Sequence, residues 1–195
     1  DGARSGPRPF FDLLNAGKRG FAVDFRTSEG ARALRALLER VDVVIEGSRP
    51  RALEQLGIDA RALVAGGGPR VWVSITGHGR TGEQRDRVAF GDDAAVAGGL
   101  VAWDDVGPCF CADAIADPCT GLVAAAAALD ALSAGGRWVL DVSLAAVAAH
   151  LAGPTIPVPA GTTAPGPPRH RAPSGAAPGL GEHTAELRDR IGIAP

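Results

Sequence analysis

The chain has 195 residues and a formal net charge of −2, with 46% of residues apolar and 22% charged. That balance supports one domain with a core and excludes a globally disordered chain; it gives no general electrostatic case for nucleic acid or an anionic membrane. No stretch approaches the roughly eighteen uninterrupted apolar residues of a membrane span; the apolar run at 122–129 ends at Asp130 and reads as a buried helix face. Residues 1–9, rich in Gly, Pro and Arg, read as an irregular lead-in, and residues 20–25 (GFAVDF) as a strand. Thr27 or Ser28 can cap the helix that follows, whose Ala33, Leu34, Leu37 and Leu38 recur at helical spacing. Residues 41–45 (VDVVI) have the look of a strand buried on both faces. Arg49-Pro50 opens a short helix carrying Leu53 and Leu56 and ending at Gly57, and a second short helix covers 59–64. Residues 70–75 (RVWVSI) predict a third strand.

This alternation predicts an α/β fold built on a parallel sheet flanked by helices. Residues 76–87 form a polar, Gly-containing loop at the carboxyl end of the third strand, the edge where open α/β sheets bind ligands. A small-residue helix is expected over 92–101, then a loop holding Trp103, Cys109 and Cys111. The longest helix is expected over 117–134 and a fourth strand over 138–142 (WVLDV), with Ser143 capping a last short helix to about residue 151. Between 153 and 181, 14 of 29 residues are Pro or Gly, an irregular linker that leads into a short charged helix over 181–191. The expected organisation is a domain over 1–152, a Pro/Gly-rich C-terminal tail over 153–181, and a helical segment over 182–195.

Lys18 is the only Lys among twenty basic residues, and Met and Tyr are absent. The chain begins at Asp1 with neither an initiator Met nor a signal-peptide pattern, so the expectation is a removed start or a part of something longer. Cys109, Cys111 and Cys119 are an odd number without a secretory pattern and without a His at zinc-site spacing. They read as reduced, mostly buried thiols in a cytoplasmic protein, and no metal site is expected.

The sharpest local feature is Asp117-Pro118-Cys119-Thr120-Gly121 at the head of the long helix. One reading makes Asp117 an N-cap, with Pro in the first turn. The other makes it a carboxylate held ionised at a helix amino terminus, able to attack an activated acyl group. The two are compatible, since a capping carboxylate keeps a second oxygen free. The loop Thr76-Gly77-His78-Gly79-Arg80-Thr81-Gly82 matches no phosphate-binding motif and reads first as a flexible connection. His78 is a lone loop His, His150, His170 and His183 have no ligand spacing, and no G-x-S-x-G elbow occurs. Lys18, Arg19, Arg26, Arg49 and Arg51 put basic groups near the ends of the first two strands, either as a solvated rim or as partners of an anionic ligand such as a phosphorylated nucleotide.

Taken in order, several segments resemble the class III coenzyme A transferases (the CaiB/BaiF type, which includes formyl-CoA and carnitine-related CoA transferases), whose relatives are the α-methylacyl-CoA racemases. The resemblance runs through LNAGKR at 14–19, VDFRTSEG at 23–30, DVVIE at 42–46, Arg49-Pro50, LEQLG at 53–57, VSITG at 73–77, Thr81-Gly82, RDR at 85–87, DPCTG at 117–121, DVS at 141–143 and LGEHT at 180–184. It holds in order from about residue 13 to 150. The resemblance implies a Rossmann-like large domain over 1–152 that binds an acyl-CoA, in two chains interlocked as linked rings. It implies that Asp117 attacks the acyl thioester to form an aspartyl mixed anhydride. It further implies CoA contacts at Val23, Asp24, Phe25 and Arg26, at Gly47, Ser48 and Arg49, and at Val88, Ala89, Phe90 and Gly91, with Arg26 and Arg49 on the phosphate or adenine side. Coenzyme A is then a substrate, no cofactor is bound permanently, and the partners are an acyl-CoA, a small carboxylic acid and a second or complementing chain.

The departures from the family pattern are equally specific. The family's opening strand and helix are expected before Asp1, and its smaller second domain after residue 151; this chain passes instead into the Pro/Gly-rich tail. Gln55 stands where relatives often carry Arg, and Phe90 where the racemases place a catalytic His. The first expectation is therefore a CoA-transferase completed by other polypeptide. The alternative is an impaired homologue that binds CoA or a partner chain without turnover, and a racemase comes third.

Overall fold

A computed structural model describes residues 7–103, 105–153, 166, 169 and 171–192. The chain divides into two compact units, Asp1–Ala36 with Pro157–Pro195, and Leu37–Ile156.

The second unit holds a three-stranded parallel sheet of β1 (Val43–Glu46), β2 (Val71–Thr76) and β5 (Trp138–Ser143), in the order β1-β2-β5. The register aligns Glu46 with Ser74 and Ser74 with Asp141, so three polar side chains fall in one row near the carboxyl ends of the strands. β2 is central and nearly all buried, as its Val, Trp and Ile content favours. On one face Val71, Val73 and Val142 pack with Ala124, Ala128 and Ala131 of α6 (Ala116–Ala134) and Val147 of α7 (Leu144–Ala152). Trp72 alternates to the other face and is 1% exposed. α3 (Pro50–Gln55) and α4 (Ala60–Ala65) lie between β1 and β2 in sequence, and Asp59 caps α4 through the N–H groups of Arg61 at 2.9 Å and Ala62 at 3.1 Å. α5 (Gly91–Ala97) packs on α6 and α7 through Ala94, Ala95, Ala116, Leu144 and Ala148. Ser143 caps α7 by accepting from Ala146 N–H at 3.2 Å.

Several expectations are corrected here. Among the described residues the sheet has three strands, since residues 20–25 form none: Gly20 N–H donates to His183 Nδ1, Ala22 N–H donates to Thr184 Oγ1, and Gly20 accepts from His183 N–H. The tail thus takes the hydrogen bonds that a neighbouring strand would have made. β1 is an edge strand rather than one buried on both faces, with Ile45 62% exposed. The helix expected over 92–101 starts at Gly91 and stops at Ala97, where Gly98 and Gly99 break it, and Gly99 has φ +79. The following loop is an antiparallel hairpin of β3 (Val101–Trp103) and β4 (Pro108–Phe110). Cys109, within β4, and Cys111, just after it, are exposed, not buried.

In the first unit, α1 (Arg8–Asn15) begins inside the expected irregular lead-in, with Pro9 in its first turn; residues 1–6 lie outside the described residues. α2 (Ser28–Leu38) starts in this unit, capped by Thr27 Oγ1, which accepts from Gly30 N–H at 3.0 Å. Gly30 is obligatory there, because a Cβ would run into the Asp24 carbonyl. α8 (Thr184–Arg190) is tied to the N-terminal segment by Arg188–Glu29 at 2.8 Å and by the Arg19–Glu186 pair. Arg8 donates to the Ala177 carbonyl, and Ala177 N–H donates to Asp12, each at 2.8 Å. Much of the Pro/Gly-rich segment lies outside the described residues; residues 171–179 contain no helix or strand.

Candidate active site

Asp117 is the second residue of α6, not its N-cap; the cap position is Ile115. The chain enters the helix through Ala114, whose φ of +47 is the one left-handed value among the described non-glycine residues, and Asp117 N–H donates to the Ala114 carbonyl at 3.0 Å. The Asp117 side chain is consequently free of capping duty. It reaches across to the start of α5, where Gly91 N–H donates to its carboxylate. That approach needs glycine: a Cβ on Gly91 would lie 2.8 Å from Asp117 Oδ2, 2.7 Å from the Ala114 carbonyl oxygen and 2.9 Å from its carbon.

The electrostatics differ from the simple helix-terminus expectation. The residue as a whole is exposed, yet the carboxyl group tucks against backbone and loses hydration, which raises its pKa above 3.8. The Asp92 charge raises it further, and the Gly91 hydrogen bond works in the opposite direction. A carboxylate of raised proton affinity is a better nucleophile once ionised. Asp92 is itself held in place, its Oδ1 accepting from Ala114 N–H at 2.8 Å.

Of the expected CoA contacts, Gly91 touches Asp117, and its neighbours lead away from it: Val88 and Phe90 are 52% and 72% exposed, and Ala89 packs against Gly77. Gly77 again requires glycine, as a Cβ there would lie 2.7 Å from Ala89 Cβ. Gly47, Ser48 and Arg49 follow the carboxyl end of β1, where Ser48 N–H donates to Glu46 at 2.7 Å and Arg49 precedes α3. Val23, Asp24, Phe25 and Arg26 belong to the first unit. There Arg26 grips Asp24 with two nitrogens at 2.9 Å, which holds the Asp24 carboxyl down at about 2. Arg26 is therefore already engaged by its own neighbour. Arg49 is exposed at the mouth of α3.

A polar network that the sequence reading missed lies at the carboxyl edge of the sheet. Arg80 donates to Ser74 Oγ at 2.7 Å and Glu46 Oε1 at 3.1 Å, while its backbone N–H donates to Asp141 Oδ2 at 2.8 Å. One residue of the 76–87 loop thus clamps all three strand ends, so the loop is anchored rather than merely flexible. Glu46 and Asp141 stood in the resembling segments without a role; only the register, which aligns them with Ser74, could have flagged them. Among the described residues, no group of three His, Cys, Asp or Glu is placed to hold a metal ion, and no helix is long and apolar enough to cross a membrane.

Comparison with known proteins gives a consistent picture. The family model of CoA-transferase family III matches residues 1–184. The chain is 30% identical over 142 residues to the succinyl-CoA–D-citramalate CoA-transferase of Chloroflexus aurantiacus, covering 69% of this chain and 35% of that one. It is 30% identical over 144 residues to the succinate–glutarate CoA-transferase of Agrobacterium fabrum, covering 69% and 36%. Among solved structures, a CaiB/BaiF family protein from Brucella suis superposes with a TM-score of 0.67 at 32% identity, covering 74% of this chain and 40% of that one. The matched region thus spans about a third of the length of these curated relatives.

Proposed function

The chain belongs to CoA-transferase family III, and on that premise we propose that it serves the transfer of coenzyme A from an acyl-CoA thioester to a small carboxylic acid, with Asp117 as nucleophile. The observation that carries this reading is the Asp117 carboxylate, released from capping, held by Gly91 N–H and raised in proton affinity beside Asp92. A carboxylate has about four acceptor sites, so one backbone donor leaves lone pairs for attack.

The steps balance without a redox partner. Asp117 attacks the thioester carbonyl; an aspartyl–acyl anhydride forms as the C–S bond breaks and CoA leaves as thiolate. The thiolate attacks the aspartyl carbonyl, releasing the donor acid and leaving an aspartyl-CoA thioester. The acceptor carboxylate then attacks that thioester and expels the thiolate again. Thiolate attack on the acceptor's acyl carbon yields the new acyl-CoA and regenerates Asp117. Coenzyme A is a substrate throughout, with no permanently bound cofactor.

In the second unit CoA is taken by the segments holding Gly47 to Arg49 and Val88 to Gly91; in the first unit, considered by itself, Val23 to Arg26 are the proposed CoA contacts. Arg49 meets phosphate directly, whereas Arg26 exchanges its Asp24 pair for phosphate or carries it along. An acyl-CoA and a small carboxylic acid are the substrates, and a second, interlocked copy or a complementing family chain is the proposed partner, in keeping with relatives that are themselves named as subunits. The cytoplasm, where acyl-CoA and free acids meet, is the compartment that suits this chemistry. The test compares the chain with its Asp117→Asn variant for CoA binding by calorimetry and for exchange of labelled CoA with an acyl-CoA. Binding in both with exchange only in the parent supports the reading. Binding without exchange in either would replace it with a CoA-binding chain that does not turn over.

A further inference from the structure

Asp92 takes no part in the bond-making steps of the proposed chemistry, yet besides its charge on Asp117 it makes a hydrogen bond that, with the Gly91–Asp117 contact, joins the start of α5 to the start of α6. Its Oδ1 accepts from Ala114 N–H at 2.8 Å, at the one described non-glycine residue with a positive φ. A left-handed Ala is disfavoured by about 1–2 kcal/mol, so it persists only where its surroundings hold it. The Ala114 carbonyl in turn receives Asp117 N–H at 3.0 Å and is the atom closest to a Cβ built on Gly91. One carboxylate therefore fixes the turn that aims the nucleophile and closes the contact between Gly91 and Asp117.

We propose that Asp92 is a positioning residue for Asp117, acting through the Ala114 turn and the α5 amino end. The proposal rests on Asp117 being the reacting group. The electrostatics agree with the geometry: the elements packed on α6 carry Asp92 and Asp93 (α5), His150 (α7) and Asp141 (β5), and Asp113 precedes it in the turn. Asp93 accepts from Phe90 N–H at 3.0 Å and Asp141 is taken by Arg80 N–H. Asp92 is the charge that acts on Asp117, and it raises that group's pKa. Asp92 thus has two separable functions, a hydrogen-bond acceptor that sets position and a charge that sets proton affinity.

The experiment follows the Asp117 carboxyl by carbon-detected NMR titration, assigned by its loss in Asp117→Asn, together with exchange protection of the Ala114 amide. Asp92→Asn keeps an acceptor oxygen and removes the charge, so the Asp117 midpoint moves down while Ala114 stays protected. Asp92→Ala removes both, so the midpoint moves down and Ala114 protection is lost. An unchanged midpoint in Asp92→Asn, or unchanged Ala114 protection in Asp92→Ala, overturns the proposal. Should Asp92→Ala not fold, the Asp92→Asn titration and the Ala114→Gly variant decide: glycine takes φ +47 without strain, so it restores folding to Asp92→Ala, and failure to do so is also adverse. These readouts need no turnover. A normal titration pattern without CoA exchange would remove the transferase reading alone, and exchange with an unmoved Asp117 midpoint would remove the role of Asp92 alone.

Discussion

Replacing Gly91 with Ala isolates the contact on which the geometry of Asp117 depends. In the first turn of a helix, Gly→Ala ordinarily stabilises by about 0.4–1 kcal/mol, because the unfolded chain loses freedom. Here the added Cβ would sit 2.7 and 2.9 Å from the Ala114 carbonyl oxygen and carbon, and 2.8 Å from Asp117 Oδ2. The carboxylate can rotate away, but the two backbone atoms belong to a turn pinned by Asp92 and cannot. Overpacking of this kind costs about 1–3 kcal/mol, so the net effect is destabilising by roughly 0.5–2 kcal/mol. Gly121, four residues beyond Asp117 on α6, has nothing within 4 Å of its would-be Cβ, and Gly121→Ala should stabilise by about 0.5–1 kcal/mol. Urea denaturation of the three proteins gives both numbers, and CoA exchange should fall in Gly91→Ala while persisting in Gly121→Ala. If the two substitutions shift stability in the same direction, the tight approach of Gly91 to the Ala114 turn is wrong.

Arg80→Met leaves the largely buried Glu46 carboxylate and Ser74 hydroxyl without their partner and should cost about 2–3 kcal/mol, most of it recovered in the Arg80→Met, Glu46→Gln double variant, as a double-mutant cycle in urea will show. Thr120 is fully buried, and its hydroxyl has no partner among the described residues; Thr120→Val should be neutral or stabilising by up to about 1 kcal/mol in the same assay, and a loss above that would reveal a bond to the hydroxyl. Asp117 has a folded-state pKa above its ordinary 3.8, so the folded chain binds the extra proton between those values. Stability from this group is therefore present at low pH and lost as pH rises through the folded pKa. Asp117→Asn should then be at least as stable as the parent at pH 7, its advantage shrinking in acid, as thermal melts across pH 3–7 will register.

The elements that the sequence made legible are those whose residues carry their own reason. Residues 71–76 alternate Val, Trp and Ile in a run that suits only a covered strand; Ser143 stands where a cap is needed, and it caps. Residues 20–25 look like a strand by the same local logic, but their hydrogen-bond partners come from His183 and Thr184, more than 160 positions away in sequence. The hairpin of β3 and β4 escaped because strands of three residues are too short to show a period. Asp117 was visible in its segment, and family membership makes that segment coherent. Its environment was not visible: the left-handed Ala114, the close approach of Gly91 and the charge of Asp92 exist only when α5 meets α6. Arg80 likewise sits in a loop that reads as flexible until the sheet register sets Glu46, Ser74 and Asp141 side by side.

The central claim is that Asp117 becomes covalently acylated. The direct test incubates the chain, alone and with a complementing family chain, with an acyl-CoA and hydroxylamine, then maps the modified peptide by mass spectrometry. The account predicts inactivation dependent on acyl-CoA, with a hydroxamate on Asp117 and none in Asp117→Asn. An exchange-competent protein that yields no hydroxamate, or yields it on another carboxylate, would contradict it.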